Sequence, residues 1–389
     1  MHKIQTVDRI AAVGLDLMGR EEYETASEMP NPDAILVRST KLAGSMIPES
    51  VKSIARAGAG YNNIPLDECS ARGIIVFNTP GANANSVKEL VITGLLLSSR
   101  RIIEGCNWAK SLVEMGDQVP KLIEEGKKQF KGPEIKGKKL GIIGLGAIGV
   151  QVANDAVSLG MEVTGYDPFI SVHSAWGLSR QVRRAMSLEA LLSDSDYITL
   201  HIPLNDQTKG LLNRERFSLL QPGTKILNFS RGGLVNNADL KEAIAEGRVS
   251  RYVTDFPDQE LLTMDEVIAI PHLGASTPEA EENCAVMAVR QTMDFLETGN
   301  IRNSVNYPNC EMVMTSEQRI CIANRNIPNM VGQITTVLAE DRINISDMLN
   351  RHKDGYAYNI IDVEGGLSTT VEQKLKAIEG VIMVRVITG

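Results

Sequence analysis

The sequence predicts an α/β protein of parallel sheets followed by a small, differently built tail. Three observations carry that expectation. Short apolar, β-branched runs alternate with helix-like stretches through most of the chain, as buried parallel strands and their crossovers do. One such run, "KLGIIGLGAIG" from Lys139, ends in a glycine fingerprint. Beyond residue 317 the rhythm changes to strand, helix, strand, strand, helix, strand, the order of a ferredoxin-like split βαβ unit.

The 389 residues suffice for two or three domains. An apolar fraction of 43% with 23% charged residues is ordinary for a soluble globular protein. The net charge of −8 argues against nucleic acid or an anionic membrane as the main partner. The apolar run "LVITGLLL" at 90–97 is far shorter than the ~20 residues of a membrane span. Ser86-Val87-Lys88-Glu89 just before it reads as a capping box. The opening "MHKIQTVDRI" lacks a signal-peptide pattern. Cys69, Cys106, Cys284, Cys310 and Cys321 are scattered and form no C-x-x-C pair, which fits a reducing cytoplasm and no metal site.

In order along the chain, strands are expected at 33–39, from 53 into a glycine-rich loop, and at 73–80. Residues 86–136 read as helical. Strands then recur at 140–143, 161–167, 197–202, 225–229, 252–255 and 267–270, before a helix over 278–297. A linker at 306–318 leads to the tail, with strands at 319–324, 344–350, 356–363 and 381–387 and helices at 330–340 and 370–378.

The glycine fingerprint gains weight from its flanks. Strand, glycine turn, helix and strand follow one another from Lys139 to Asp167, the unit that binds dinucleotides in a Rossmann-type domain. Gly144 permits the tight turn, Gly146 lets a pyrophosphate approach the backbone, and Gly149 lets helix and strand pack closely. The helix N-terminus offers free N–H groups to the phosphates. Asp167, about 20 residues further on, can accept bonds from ribose hydroxyls. It would repel a 2′-phosphate, so the expected cofactor is NAD.

Open α/β sheets bind ligands beyond the carboxyl ends of their strands. That rule selects Arg231 in "KILNFSRGGLV", Asp255 and Glu260 in "RYVTDFPDQELL", and His272 in "VIAIPHLGAST". Oxidising a secondary alcohol requires removal of the hydroxyl proton as hydride leaves carbon, and His272 suits that general base. Glu260 bonded to the far ring nitrogen would fix the tautomer, and Arg231 can grip a substrate carboxylate bidentately. His201, inside an apolar strand, is the competing histidine and is placed at the cofactor cleft.

The stretches "RAGAGYNNI", "NTPGANANSVKELVI", "FKGPEIKGKKLGIIGLGAIG", "LHIPL", "NFSRGGLVN" and "PHLGAST" resemble the D-isomer-specific 2-hydroxyacid dehydrogenases over roughly residues 33–308. The resemblance implies a flavodoxin-like substrate-binding domain (1–93 and 277–312) and a Rossmann-type NAD-binding domain (94–276). Arg231, Glu260 and His272 become the catalytic trio. The cofactor set extends to Ala147, Ile148, Pro203, Phe229, Ser230, Asp255, Gly274 and Ala275. The tail (317–389) resembles an ACT domain, a small-molecule sensor, on the match of "NRNIPNMVGQITTVLAEDRINI".

Together these imply a homodimer or homotetramer that oxidises a phosphorylated 2-hydroxy acid, 3-phospho-D-glycerate. Such a substrate needs two cationic subsites. Arg231 serves the carboxylate, and Arg38 and Arg56, with Ser39 and Gly58, the phosphate. The alternatives are a glyoxylate or hydroxypyruvate reductase, or a NAD-sensing protein without catalysis. The chain reads "DFPDQELL" where the family often has Glu-x-Pro, so Asp258 is the alternative to Glu260. The tail lacks the His and Gly common in serine sensors. Asn326 and Asn344 are the candidate contacts for an amino-acid effector.

Overall fold

The computed structural model describes residues 1–388 and divides into two compact units, Met1–Asn83 with Pro278–Gly389, and Ala84–Thr277. In the first unit, β1 (His2–Thr6), β2 (Tyr23–Ala26), β3 (Ala34–Val37), β4 (Ser53–Arg56) and β5 (Ile75–Phe77) form a parallel sheet. Its order, β2-β1-β3-β4-β5, is the flavodoxin-like one. β3 is buried at all four positions, which is why its apolar run is plain in the sequence. β1 buries Ile4 alone, and β2 only Tyr23, so neither shows a strand-like pattern. Helix Pro278–Thr298 packs against this sheet, with Ala285, Ala288 and Val289 in one core with Ile4, Leu36 and Ala55.

The second unit holds seven parallel strands. β6 (Lys139–Ile143), β7 (Glu162–Tyr166), β8 (Arg183–Arg184), β9 (Tyr197–Leu200), β10 (Thr224–Asn228), β11 (Val249–Thr254) and β12 (Val267–Ala269) run in the order β12-β11-β10-β9-β6-β7-β8. The strand order reverses between β6 and β9, the switch point at which doubly wound sheets bind ligands. Helix Ala84–Ser99 belongs wholly to this unit: Val87, Val91 and Leu95 share a core with Leu140, Val152 and Leu227. A boundary at 93/94 would cut that helix in two. The expected capping box is also absent. The helix starts at Ala84, and Ser86 lies inside it with its hydroxyl donating 2.8 Å to the Gly274 carbonyl.

The tail forms β13 (Gln318–Arg325), β14 (Asn344–Lys353), β15 (Tyr356–Glu364) and β16 (Val381–Thr388) in the antiparallel order β14-β15-β13-β16. Helices Met330–Glu340 and Thr369–Lys376 cover one face, where Ile320, Ile322, Ile361 and Val363 meet Ile334, Leu338 and Leu375. The sequence suggests a free-standing domain, and here the structure differs. The other face of the sheet, through Cys321, Ala323, Tyr358 and Ile360, joins Phe295, Ile301 and Tyr307 in the core of the first unit. At that seam Arg319 and Asp362, both fully buried, form a two-pronged ion pair (Nε–Oδ1 2.6 Å, Nη2–Oδ2 3.0 Å). Arg319 Nη1 also donates to the carbonyls of Thr298 (3.0 Å) and Met312 (2.9 Å). No helix among the described residues is long and apolar enough to cross a membrane. The five cysteines are free.

Candidate active site

The glycine turn is built by close backbone approach. Gly144 ends β6 with φ 95°, and a side chain there would lie 2.4 Å from the His201 carbonyl oxygen. A Cβ on Gly149 would sit 2.0 Å from the Gly144 oxygen, so only glycine lets helix Ala147–Ser158 start against the strand. Gly146, by contrast, faces open space. It caps the helix with no side-chain bond, which leaves the N–H groups of Ala147, Ile148 and Gly149 for an anion.

Asp167 stands beside this turn. Its Oδ2 accepts from the Leu145 N–H and its Oδ1 from the Phe169 N–H, both at 2.8 Å. The carboxylate is therefore held in place at the end of β7. Asp167→Asn removes the charge that opposes a 2′-phosphate, and the NADPH-to-NADH activity ratio should rise. Equal use of both cofactors by the unaltered protein would refute the ribose assignment.

Arg231, Asp255 and His272 gather at the ends of β10, β11 and β12. The organiser of the first loop is Asn228, fully buried at the end of β10. Its Oδ1 accepts from the Ser230 and Arg231 N–H groups, and its Nδ2 donates 2.8 Å to the Arg231 carbonyl. Asp255 is buried, with Oδ2 accepting 3.2 Å from the Gly274 N–H. Its Oδ1 is buried with no partner. Burial pushes the Asp255 carboxyl up, against the pull of the nearby His272 and Arg231 charges.

His272 has left-handed backbone (φ 43°), which costs a non-glycine residue energy and recurs at functional sites. Its N–H bonds the carbonyls of Asp255 and Ile270, and its exposed ring rests on Phe256 with centroids 4.7 Å apart. The Arg231 guanidinium carbon lies 6.0 Å from the same Phe256 ring centroid. Phe256 is thus a shared platform for both polar groups. Sequence reasoning passed over Phe256 and Asn228, since neither carries reactive chemistry. The one available signal was their position at strand ends beside Asp255 and Arg231.

The remaining candidates divide. His201 is held 3.0 Å from Thr199 Oγ1 through Nε2, and burial pushes its imidazole down to about 3. A ring that stays neutral across the physiological range is no rival to His272 as acid–base group. Glu260 is exposed and makes no side-chain hydrogen bond among the described residues. Asp258 is engaged locally, accepting from Asn237 Nδ2 at 2.5 Å and from the Leu261 N–H at 3.0 Å. Of the two carboxylates, Glu260 is the one left free to turn toward a histidine. The Phe229 side chain lies in the apolar core with Val87 and Val91, because β10 turns that position inward, so only its backbone remains for a cofactor. Ser230 donates to the Leu200 carbonyl at 2.6 Å. Pro203 is exposed, its carbonyl taken by Thr208 at 2.6 Å. Ala275 follows Gly274 in the His272 loop.

In the first unit, Arg38 and Arg56 stand just past and at the ends of β3 and β4. Asp8 accepts from the N–H groups of Arg38, Ser39 and Thr40, which fixes this loop. Arg56 Nε donates 3.0 Å to the Arg38 carbonyl, and Gly58 leaves room for its guanidinium, which would lie 2.2 Å from a Cβ there. Arg38 Nη2 is paired with Glu281 Oε1 at 2.7 Å. Glu281 sits in the first turn of helix Pro278–Thr298, a favourable place for a carboxylate.

Residues 96–274 match the NAD binding domain of the D-isomer specific 2-hydroxyacid dehydrogenases. A D-3-phosphoglycerate dehydrogenase of Haemophilus influenzae is 33% identical over 363 residues, 90% of this chain and 84% of that protein. The chain belongs to the D-isomer-specific 2-hydroxyacid dehydrogenase family. A hydroxypyruvate reductase of Thermotoga maritima is 36% identical over 73% of this chain and 94% of its own. A D-3-phosphoglycerate dehydrogenase of Archaeoglobus fulgidus is 34% identical over 79% of this chain, which spans only 58% of that protein. Among solved structures, the NAD+-bound 3-phosphoglycerate dehydrogenase of Entamoeba histolytica superposes with a TM-score of 0.60 at 28% identity, covering 78% of this chain and 98% of its own.

As a member of this family the protein takes NAD, and its residues fit that cofactor. The open face at Gly146 would admit a pyrophosphate, Asp167 would hold a ribose, and the orphaned Asp255 Oδ1 would accept from an N–H group such as a nicotinamide carboxamide offers. The two effector candidates do not meet. Asn326 lies at the β14–β15 turn, where its N–H and amide bond the carbonyls of Gly355 and Asp354. Asn344 pairs with Glu364 at the opposite end of the same hairpin, with its amide on the Glu364 carboxylate at 2.8 Å. One chain cannot place both on a single amino acid.

Proposed function

We propose that this dehydrogenase oxidises 3-phospho-D-glycerate to 3-phosphohydroxypyruvate with NAD, the first step of L-serine biosynthesis. The observation that carries the reading is the seating of Arg231 and His272 on the one Phe256 ring beside buried Asp255. When bound, the nicotinamide supplies the hydride acceptor. His272 takes the hydroxyl proton as the carbon is oxidised, and its left-handed backbone, anchored on the Asp255 carbonyl, aims the ring. Glu260 stabilises the imidazolium that results. Arg231 binds the carboxylate and polarises the carbonyl in reverse, held by Asn228. In the first unit, Arg38 and Arg56 are assigned to the phosphate, with Ser39 and Gly58 shaping their loops. The test is NADH oxidation with 3-phosphohydroxypyruvate beside hydroxypyruvate. A preference for the unphosphorylated acid would sink the assignment.

One observation favours that second reading, a hydroxypyruvate reductase: Arg38 already carries a carboxylate partner. The pair is about 40% exposed on each side (36% and 42%), and exposed pairs of this kind contribute about 0–1 kcal/mol. A phosphate can therefore displace Glu281. Glu281→Gln should lower KM for 3-phosphohydroxypyruvate up to about fivefold and leave that for hydroxypyruvate unchanged. Equal shifts for both acids would remove Arg38 from the phosphate subsite.

We also infer a homo-oligomer. Helices Ile102–Ser111 and Val119–Gly126 bury no residue, and Val113 between them is 79% exposed. A helical arm with so small a core of its own, Leu112 and the Trp108–Phe130 ring pair, is suited to a second copy. Five free thiols suit a cytoplasmic setting.

A further inference from the structure

We propose that the cleft between residues 304–309 and the end of β14 binds a small polyanion, a phosphorylated or polycarboxylated metabolite. The cleft encloses about 390 Å³, within the range of small-molecule sites (about 300–1,000 Å³). Arg351, His352 and Lys353 line it on one side and Asn309 on the other, and no carboxylate lines it.

The hydrogen-bond inventory of the lining is one-sided. The amide and hydroxyl oxygens of Asn309 and Ser304 are engaged: Asn309 Oδ1 takes the Asn303 N–H at 2.9 Å, Ser304 Oγ takes the Tyr307 N–H at 3.1 Å, and the Ser304 carbonyl faces Lys353 Nζ at 3.4 Å. Ser304 Oγ donates to Asn306 Oδ1, and the Tyr307 hydroxyl to the Ser70 carbonyl. Donors remain. The Arg351 side chain makes no hydrogen bond or ion pair among the described residues, and so offers all five N–H groups. Asn309 keeps its amide N–H groups. Lys353, held by the Val305 carbonyl at 2.9 Å, keeps a further proton.

Charge points the same way. Arg351 and Lys353 are two residues apart on a strand, so they project from the same face as like charges. Glu311, the acid just beyond Asn309, is already paired with Arg302 at 3.0 Å. An anion would relieve this repulsion and satisfy the donors together. It would also bridge two elements. Residues 304–309 are tied to β5 and its approach through Asn306, which accepts from the Val76 N–H and donates to the Ile74 carbonyl. The other wall is the exposed edge of the tail sheet.

The test titrates the full chain with inorganic phosphate and, separately, with citrate, by calorimetry and thermal unfolding. At least one anion should bind saturably and raise the melting temperature. Arg351→Ala should weaken that binding at least about tenfold, as loss of a charged hydrogen-bonding partner does. Asn309→Ala should weaken it less, and Arg56→Ala, which removes a different anion subsite, should leave it in place. Response to phosphate alone identifies a phosphorylated ligand, and response to citrate alone a polycarboxylate. Saturable binding absent for both anions, or unchanged in Arg351→Ala, overturns the site.

Discussion

Replacing His272 with alanine is expected to lower turnover by about two to four orders of magnitude, the usual loss on removing a general acid–base group. NADH binding should survive, because the glycine turn and Asp167 stand on β6 and β7, away from the histidine loop. The comparison that sharpens the test is His201→Ala. With its imidazole pushed down to about 3 by burial, His201 stays neutral and does not titrate near neutrality, so its loss should alter cofactor affinity more than the pH profile. Glu260→Gln should shift that profile, since it removes the charge proposed to stabilise the imidazolium. Near-normal turnover in His272→Ala would move the proton-transfer role elsewhere.

The largest effect on stability is expected from Arg319→Ala. Breaking one side of a buried ion pair costs about 3–5 kcal/mol, because the partner charge is left uncompensated. Here the orphan is Asp362 in a fully buried seam, together with the carbonyls of Thr298 and Met312. Arg319→Met with Asp362→Leu should recover part of the loss, as apolar replacement of both partners removes the stranded charge. Denaturant unfolding of the two variants measures this, and a loss below about 1 kcal/mol in Arg319→Ala would contradict it. A pH dependence accompanies the pair. Burial alone would raise the Asp362 carboxyl, yet the bonds from Arg319 and Thr315 hold it below its usual value. A depressed carboxylate stabilises the fold above the ordinary carboxylate range, and that contribution fades as pH falls through the depressed value. Asp362→Asn should lose this acid-side dependence.

Much of the architecture was legible because its periodicity is local. Helix Met330–Glu340 lies over the expected residues, and the glycine turn declares itself through spacings that backbone geometry enforces. What stayed hidden depends on distant chain. β1 and β2 carry one buried residue each, too few to write an alternation into the sequence. Phe256 gains its importance only when the β10 and β12 loops fold down on either side of it. Asn326 and Asn344 read as a pair because both offer amides near helix ends, and only the strand register places them at opposite ends of a hairpin. β13 and β15 are buried on both faces, so the tail sheet has a second apolar face to cover. Nothing in the tail itself says that Phe295, Ile301 and Tyr307 cover it.

That covered face bears on how such a chain can change over generations. A sensor attached by a linker can be gained, lost or exchanged in one genetic event, since each side already has a finished surface. Here Cys321, Ala323, Tyr358 and Ile360 complete the interior of the catalytic chain's first unit. A stop codon before β13 would expose Phe295, Ile301 and Tyr307 to water at once, and the remaining polypeptide would associate or fail to fold. While the tail is present, a polar substitution at any of those three positions would be buried and costly. At this seam the two parts therefore constrain each other's substitutions.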